Sequence, residues 1–79
     1  MLKFKADGMF ILMGKLNPVF ITKCNRDCTD FEWLMGETVE IDYEGKRVIG
    51  EVIGVESFKP TIVSKGSSIA IMIKGCLDE

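Results

Sequence analysis

The residues Thr38–Ile49 read TVEIDYEGKRVI, an alternating run followed by a turn and a second apolar run. In the first run, apolar side chains occupy every second position and acidic ones stand between them, which is the period of a strand with one buried face. Glu44-Gly45 then provides the residue types that let a chain reverse in a tight turn. The sequence therefore predicts a β-hairpin with arms Thr38–Tyr43 and Lys46–Val55.

Further strands are predicted on both sides of this hairpin. The isoleucines of the C-terminal run, at positions 69, 71 and 73, alternate with other residues and predict a strand with a wholly β-branched face. Near the N-terminus, Met9–Met13 and Val19–Thr22 are apolar runs separated by the turn residues Gly14–Pro18. These two runs predict an N-terminal hairpin.

The spacing of strands and glycines predicts a barrel. Gly50 and Gly54 interrupt the second arm of the central hairpin, and glycine inside a strand marks a bulge or a bend of the kind that closing a small barrel requires. About six short strands with turns between them are typical of an all-β barrel or sandwich. Because 79 residues suffice for one core, we expect a single domain over residues 1–79.

Two connecting segments lie between the predicted strands. In Cys24–Gly36, the run Thr29–Glu32 matches a capping box, and Phe31, Leu34 and Met35 follow at helical spacing, which predicts one short helical turn. Ser57–Ser68 contains Pro60 and Gly66 and is predicted to be a connection, with Thr61–Val63 as a short strand within it.

The chain contains three cysteines, Cys24, Cys28 and Cys76. An odd and small number does not form a disulfide framework, so we expect free thiols and a reducing, cytoplasmic setting. Three cysteine thiolates could bind zinc, but zinc prefers four ligands and the chain has no histidine to serve as the fourth. The spacing of the first two cysteines is C-x3-C, whereas redox pairs usually have C-x-x-C. We therefore expect no metal and no cofactor.

Composition also limits the classes of function. The absence of histidine removes the commonest general base, no phosphate-binding glycine motif is present, and a short chain leaves little material for a deep cleft. We therefore expect a protein that is not an enzyme and binds no nucleotide. The apolar run Met9–Met13 is too short for a signal peptide or a spanning helix, so no membrane is expected. A net charge of −2 gives no general attraction to nucleic acid.

The run Met9–Met13 also raises the question of what covers it. In a strand, alternation sends about half of these side chains away from the core, so another element must cover them. The segment Phe31–Met35 of the same chain is one candidate, and a protein partner or a second copy is the other. The candidate interface residues are Met9, Phe10, Ile11, Leu12, Met13, Phe31 and Trp33.

The second half of the chain resembles a known family. The residues Gly36–Ile41, Gly54–Phe58 and Ser68–Gly75 follow the pattern G-x-x-V-x-I, then G-V-E-x-F, then a final strand closing in K-G. This order resembles the second, β-barrel domain of translational GTPases such as elongation factor Tu. The resemblance implies a barrel of about six antiparallel strands and a pocket for the aminoacylated end of transfer RNA. It places Glu56 at the pocket glutamate and Ser68 at the position of an asparagine that helps to recognise the aminoacyl group.

Taken with the resemblance, the sequence predicts a small, closed or nearly closed antiparallel β-barrel that acts as a non-enzymatic binding module. The partner is a protein or an RNA end, and the abundance of Met, Phe and Leu with only two arginines favours a protein. The alternative is an assembly protein that homodimerises through Met9–Met13 or Phe31–Met35. The candidate binding residues are Glu56, Phe58, Lys59, Ser67 and Ser68.

Overall fold

The fold is a closed barrel of paired β-strands. The computed structural model of the chain describes residues 1–11, 17–58 and 62–78, the last four by their backbone only. Within these ranges there are five strands and no helix, which confirms an all-β barrel. The strands are β1 (Leu2–Ile11), β2 (Pro18–Lys23), β3 (Thr38–Tyr43), β4 (Lys46–Ser57) and β5 (Ser68–Asp78).

The order around the barrel is β1-β2-β5-β4-β3, and β3 returns to β1. Four of the five ladders are antiparallel, three of them between strands that are consecutive in the chain. The ladder that closes the barrel is parallel, with Leu2 opposite Val39 and Lys5 opposite Asp42. The prediction of a purely antiparallel barrel is therefore wrong at this seam, because β1 and β3 run in the same direction.

The predicted central hairpin is confirmed in its turn and its first arm, and its second arm continues two residues further than predicted, to Ser57. Tyr43 lies opposite Lys46, and the two residues between them both have positive φ, 51° at Glu44 and 80° at Gly45. Positive φ at both central positions is the conformation whose twist matches that of the flanking strands. The N-terminal hairpin is confirmed in the pairing of its arms, with Phe10 of β1 opposite Val19 of β2, but β1 begins at Leu2 and not at Met9. Of the predicted turn Gly14–Pro18, residues 14–16 lie outside the described residues.

All five strands contribute side chains to the barrel interior. Their inward positions alternate as the sequence predicts, and Leu34, from the segment between β2 and β3, adds a fully buried side chain to the same core. The largest members of this core are Phe4, Phe20, Leu34, Val39, Ile41, Val52, Ile69, Ile71 and Ile73.

The segment that holds Leu34 forms a hydrogen-bonded turn and not a helix. The carbonyl oxygen of Phe31 accepts from Leu34 N at 2.9 Å and from Met35 N at 3.0 Å. At the start of this turn, a carboxylate oxygen of Asp30 accepts a hydrogen bond from Glu32 N at 3.1 Å. The predicted helical turn is therefore a single hydrogen-bonded turn that does not continue as a helix. The next residue, Gly36, has a φ of 81°, and its N–H donates to Val52 of β4.

The predicted short strand Thr61–Val63 is also absent as a strand from the described residues. Val63 forms only an isolated bridge with Cys28, and Thr61 lies outside the described ranges. The described part of the chain contains no helix of the length and apolar character needed to cross a membrane.

The glycines of β4 mark the irregularities that the sequence predicts. The β4–β5 register shifts once between Ile49 and Glu51 and again between Val52 and Gly54. A Cβ at Gly50 would lie 2.9 Å from the carbonyl oxygen of Lys74 and would collide with the side chain of Ile73. Only glycine therefore permits β4 to approach β5 this closely.

Replacing Gly50 with alanine should lower the free energy of unfolding by about 1–3 kcal/mol, the usual cost of forcing extra atoms into a packed interior. Gly54 provides the matched control, since a Cβ there meets its first neighbour at an ordinary 3.7 Å. Urea denaturation of the two variants measures the difference. Equal stability of Gly50→Ala and Gly54→Ala would contradict the close approach.

Candidate binding groove

A row of side chains crosses the outer face of four neighbouring strands. Phe10 of β1 lies opposite Val19 of β2, Val19 lies opposite Met72 of β5, and Met72 lies opposite Gly54 of β4. Because directly opposed residues of antiparallel strands point to the same face, these positions share one surface. The face is apolar along this whole row.

This surface is the floor of a groove of about 530 Å³. Met35, from the turn between β2 and β3, and Phe58, just after β4, are the lining residues that come from outside the strands. At Gly54 there is no side chain to fill the hollow. The lining consists of Phe10, Val19, Met35, Gly54, Val55, Glu56, Phe58, Ala70 and Met72.

The groove combines a low floor with large exposed side chains. Val19 and Ala70 are buried, whereas Phe10 is 43 % exposed, Met35 45 % and Phe58 65 %. Aromatic and methionine side chains exposed together around a concave apolar surface are typical of interaction sites on soluble proteins. Glu56, which is exposed, is the one ionisable residue among the described residues of the lining.

The structure brings some of the predicted binding residues together and separates others. Glu56 and Phe58 both line the groove, and Lys59 lies outside the described residues. Ser67 and Ser68 are not among its lining residues and lie next to the end of β2. The carbonyl oxygen of Ser67 accepts from the N–H of Cys24 at 2.8 Å, and the hydroxyl of Ser68 accepts from the ammonium of Lys23 at 3.0 Å.

The predicted interface residues of β1 divide between two surfaces. Phe10 belongs to the groove, while Met9 and Ile11 line a second hollow of about 400 Å³ together with Tyr43 and Lys46. Leu12 and Met13 lie outside the described residues. Met9, Phe10 and Ile11 are all exposed, so the described part of this run lacks the internal cover expected from Phe31–Met35.

Phe31 and Trp33 pack partly against the core. The Trp33 indole N–H donates to the carbonyl oxygen of Asp30 at 3.1 Å, and the Arg26 guanidinium carbon lies 4.0 Å from the centre of the indole ring system. The segment therefore uses these aromatic rings for its own packing, and it contributes Met35 to the groove.

Sequence reasoning named Met35 only as the end of the candidate interface segment Phe31–Met35. It did not single out as binding residues the groove residues Val19, Gly54, Val55, Ala70 and Met72. A signal for the last two is present, because the outward positions of an exposed strand are usually polar and β5 has Ala70 and Met72 there. Met35 carries no such signal, since its place depends on how the turn packs against β4. The turn is fixed there by Gly36 N donating to the carbonyl oxygen of Val52 at 2.9 Å.

Two of the three cysteines lie side by side. Cys24 and Cys28 are free thiols whose sulfur atoms lie 3.8 Å apart, and Cys24 is buried. The backbone of Cys76 lies toward the far end of β5, next to Leu77, whose backbone pairs with Ile49. Along β5 it is eight residues, about 26 Å of extended strand, from Ser68. The described residues contain no cluster of three metal-ligating side chains.

Comparison of the chain with protein-family models, with curated proteins and with solved structures finds no match. The resemblance to the translation-factor barrel therefore depends on the residues quoted for it. The groove itself is defined by the geometry of β1, β2, β4 and β5.

The exposed groove side chains should matter little for stability. Phe58→Ser should change the free energy of unfolding by no more than about 0.5 kcal/mol, because the side chain is largely in water already. Leu34→Ala, in contrast, empties a fully buried position and should cost about 2–5 kcal/mol. Chemical denaturation of both variants is the measurement. A large loss in Phe58→Ser would mean that the rim of the groove is part of the core.

Proposed function

We propose that this protein is a non-enzymatic binding module whose outer groove holds an apolar segment of a protein partner. The observation that carries the proposal is the ring of exposed side chains, Phe10, Met35 and Phe58, around the floor made by Val19 and Ala70. Desolvating such side chains against a partner supplies the main free energy of association at protein interfaces.

The charge of the groove favours a protein over a nucleic acid. Glu56 is acidic, and no lysine or arginine is among the lining residues of this groove. Binding of a phosphate backbone derives most of its affinity from cations at the surface, and the described residues that line the groove offer none. An RNA end is the alternative that the family resemblance implies, with bases stacked on Phe10 or Phe58.

The lining also indicates the chemistry of the partner segment. Large apolar side chains would fill the space between Phe10 and Met72, and a lysine or arginine next to them would lie near Glu56. A carboxylate there would be repelled. We therefore expect an apolar anchor flanked by a basic residue.

A peptide library displayed on phage provides the test, with the reduced full-length protein as bait. Selection should enrich peptides that combine leucine, methionine or aromatic residues with lysine or arginine. Phe58→Ser should weaken binding of a synthetic enriched peptide at least tenfold, because it removes an anchoring contact, and Glu56→Lys should remove the preference for basic residues. Isothermal titration calorimetry measures both effects.

Ile62→Ser is the matched control, because Ile62 is also a strongly exposed apolar residue and does not line the groove. The Ile62→Ser variant should bind the peptide with the same affinity as the wild type. Equal weakening by Phe58→Ser and Ile62→Ser would contradict the assignment of the groove. Titration with transfer RNA at two salt concentrations addresses the alternative: binding that falls steeply as salt rises would favour RNA.

The edge of β1 supports a second candidate, an assembly protein that pairs with its own copy. The parallel ladder to β3 covers only Leu2–Lys5, and Gly8–Ile11 pairs with β2 alone among the described residues. An edge strand with free backbone groups and exposed apolar side chains is a template for pairing with another chain. Met9, Phe10 and Ile11 provide such side chains.

If the edge pairs, sedimentation velocity over a dilution series should show a dimer that dissociates on dilution. Ile11→Lys should shift the midpoint to at least tenfold higher concentration, because charges on an edge oppose pairing. Ile62→Lys adds the same charge elsewhere and should leave the midpoint unchanged. A monomer at every concentration would exclude this candidate and leave the groove proposal intact.

A further inference from the structure

The two neighbouring cysteines lie at the ends of a short loop that is fixed at both ends to the same segment. Cys24 donates its N–H to the carbonyl oxygen of Ser67 at 2.8 Å, and its own carbonyl oxygen accepts from Gly66 N at 2.8 Å. Cys28 exchanges two backbone hydrogen bonds with Val63, at 2.8 and 2.9 Å. The backbone positions of both cysteines are therefore set by contacts outside the loop.

This anchoring brings the two side chains into contact. The sulfur atoms lie 3.8 Å apart at hydrogen-bonding distance, and Cys24 Sγ also donates to the carbonyl oxygen of Arg26 at 3.0 Å. A disulfide bond is about 2.05 Å long. The sulfurs are thus within about 2 Å of bonding distance.

Solvent access differs between the two thiols and gives the reaction an order. Cys24 is only 2 % exposed, whereas Cys28 is partly exposed. A soluble oxidant therefore meets Cys28 first. The Cys24 thiol then lies next to the oxidised sulfur atom of Cys28.

We propose that Cys24 and Cys28 are an oxidative modification site, which closes into an intramolecular disulfide when the protein meets a low-molecular-weight disulfide such as oxidised glutathione. The Cys28 thiolate attacks one sulfur of the oxidant, forms a mixed disulfide and releases one thiolate. Cys24 then loses its proton and attacks Cys28 Sγ, which expels the second thiolate. The protein loses two protons and two electrons, and one molecule of oxidised glutathione becomes two of the reduced form.

The loop couples this chemistry to an aromatic reporter. Arg26 lies between the two cysteines in sequence and over the indole of Trp33, the single tryptophan of the chain. Closing the disulfide removes the Cys24 thiol donor from the Arg26 carbonyl oxygen. The surroundings of Trp33 should therefore change when the disulfide forms, and tryptophan fluorescence can follow the reaction.

The acid–base chemistry of Cys28 sets the expected pH dependence. Burial raises the pKa of the Cys28 thiol above its ordinary value, and the hydrogen bond with Cys24 and the charges of Cys24 and Asp30 raise this pKa further. The contact with Trp33 lowers the pKa, but by less. Because only the thiolate attacks, the reaction should be slow near pH 7 and faster at alkaline pH.

The experiment uses the full-length Cys76→Ser variant, which removes the remote thiol, in a series of oxidised-to-reduced glutathione ratios. We expect the intact mass to fall by two hydrogens, peptide mapping to join Cys24 to Cys28, and Trp33 emission to change with the same midpoint. Dithiothreitol should reverse all three changes.

Two variants made on the Cys76→Ser background keep the proposal falsifiable. Cys24→Ser should stop at a mixed disulfide, with one glutathione added at Cys28, whereas Cys28→Ser should stay unmodified while folded, as circular dichroism confirms. Accumulation of the mixed disulfide in the protein with both cysteines would overturn the proposal. So would a folded protein that remains fully reduced under oxidised glutathione at pH 9 while its urea-unfolded form reacts.

Discussion

The inward row of Ile69, Ile71 and Ile73 is the contact on which the rest of the structure depends. All three side chains are fully buried, and their strand is the one that pairs with both β2 and β4. A β-branched residue at every second position fixes the register, because a slip by one residue would send the whole row into water. The barrel is therefore specified from β5 outward, and β1 and β3 close it.

Closure also determines where apolar side chains stay exposed. A closed barrel hides its strand edges, but here the parallel seam ends at Lys5 and the described part of β1 continues to Ile11. The same strand end contributes Phe10 to the outer groove and Met9 to the second hollow. The exposed apolar surface of this region is thus a consequence of β1 being longer than its parallel partner β3.

The sequence predicted what local chemistry determines and missed what depends on distant parts of the chain. Alternation and the Glu44-Gly45 turn were sufficient for the hairpins, and Gly50 marked a real bulge. The parallel seam was not predictable from period or turn residues, since it joins strands separated by a long connection. The groove was predicted only in part: Glu56 and Phe58 are there, and so is Phe10 of the candidate interface, but its walls depend on four strands and a turn meeting in space.

The segment between β2 and β3 contributes side chains to three different features of this small barrel. Its C-x3-C spacing carries no signal by itself, yet backbone bonds to Val63 and Ser67 bring the two sulfurs together. The same segment buries Leu34 in the core and directs Met35 to the groove. A strand has only two faces, and in a barrel one of them is committed to the core. A connection anchored at both ends is free of that alternation, and it can therefore place side chains in the core, in the groove and in a pair of adjacent thiols at once.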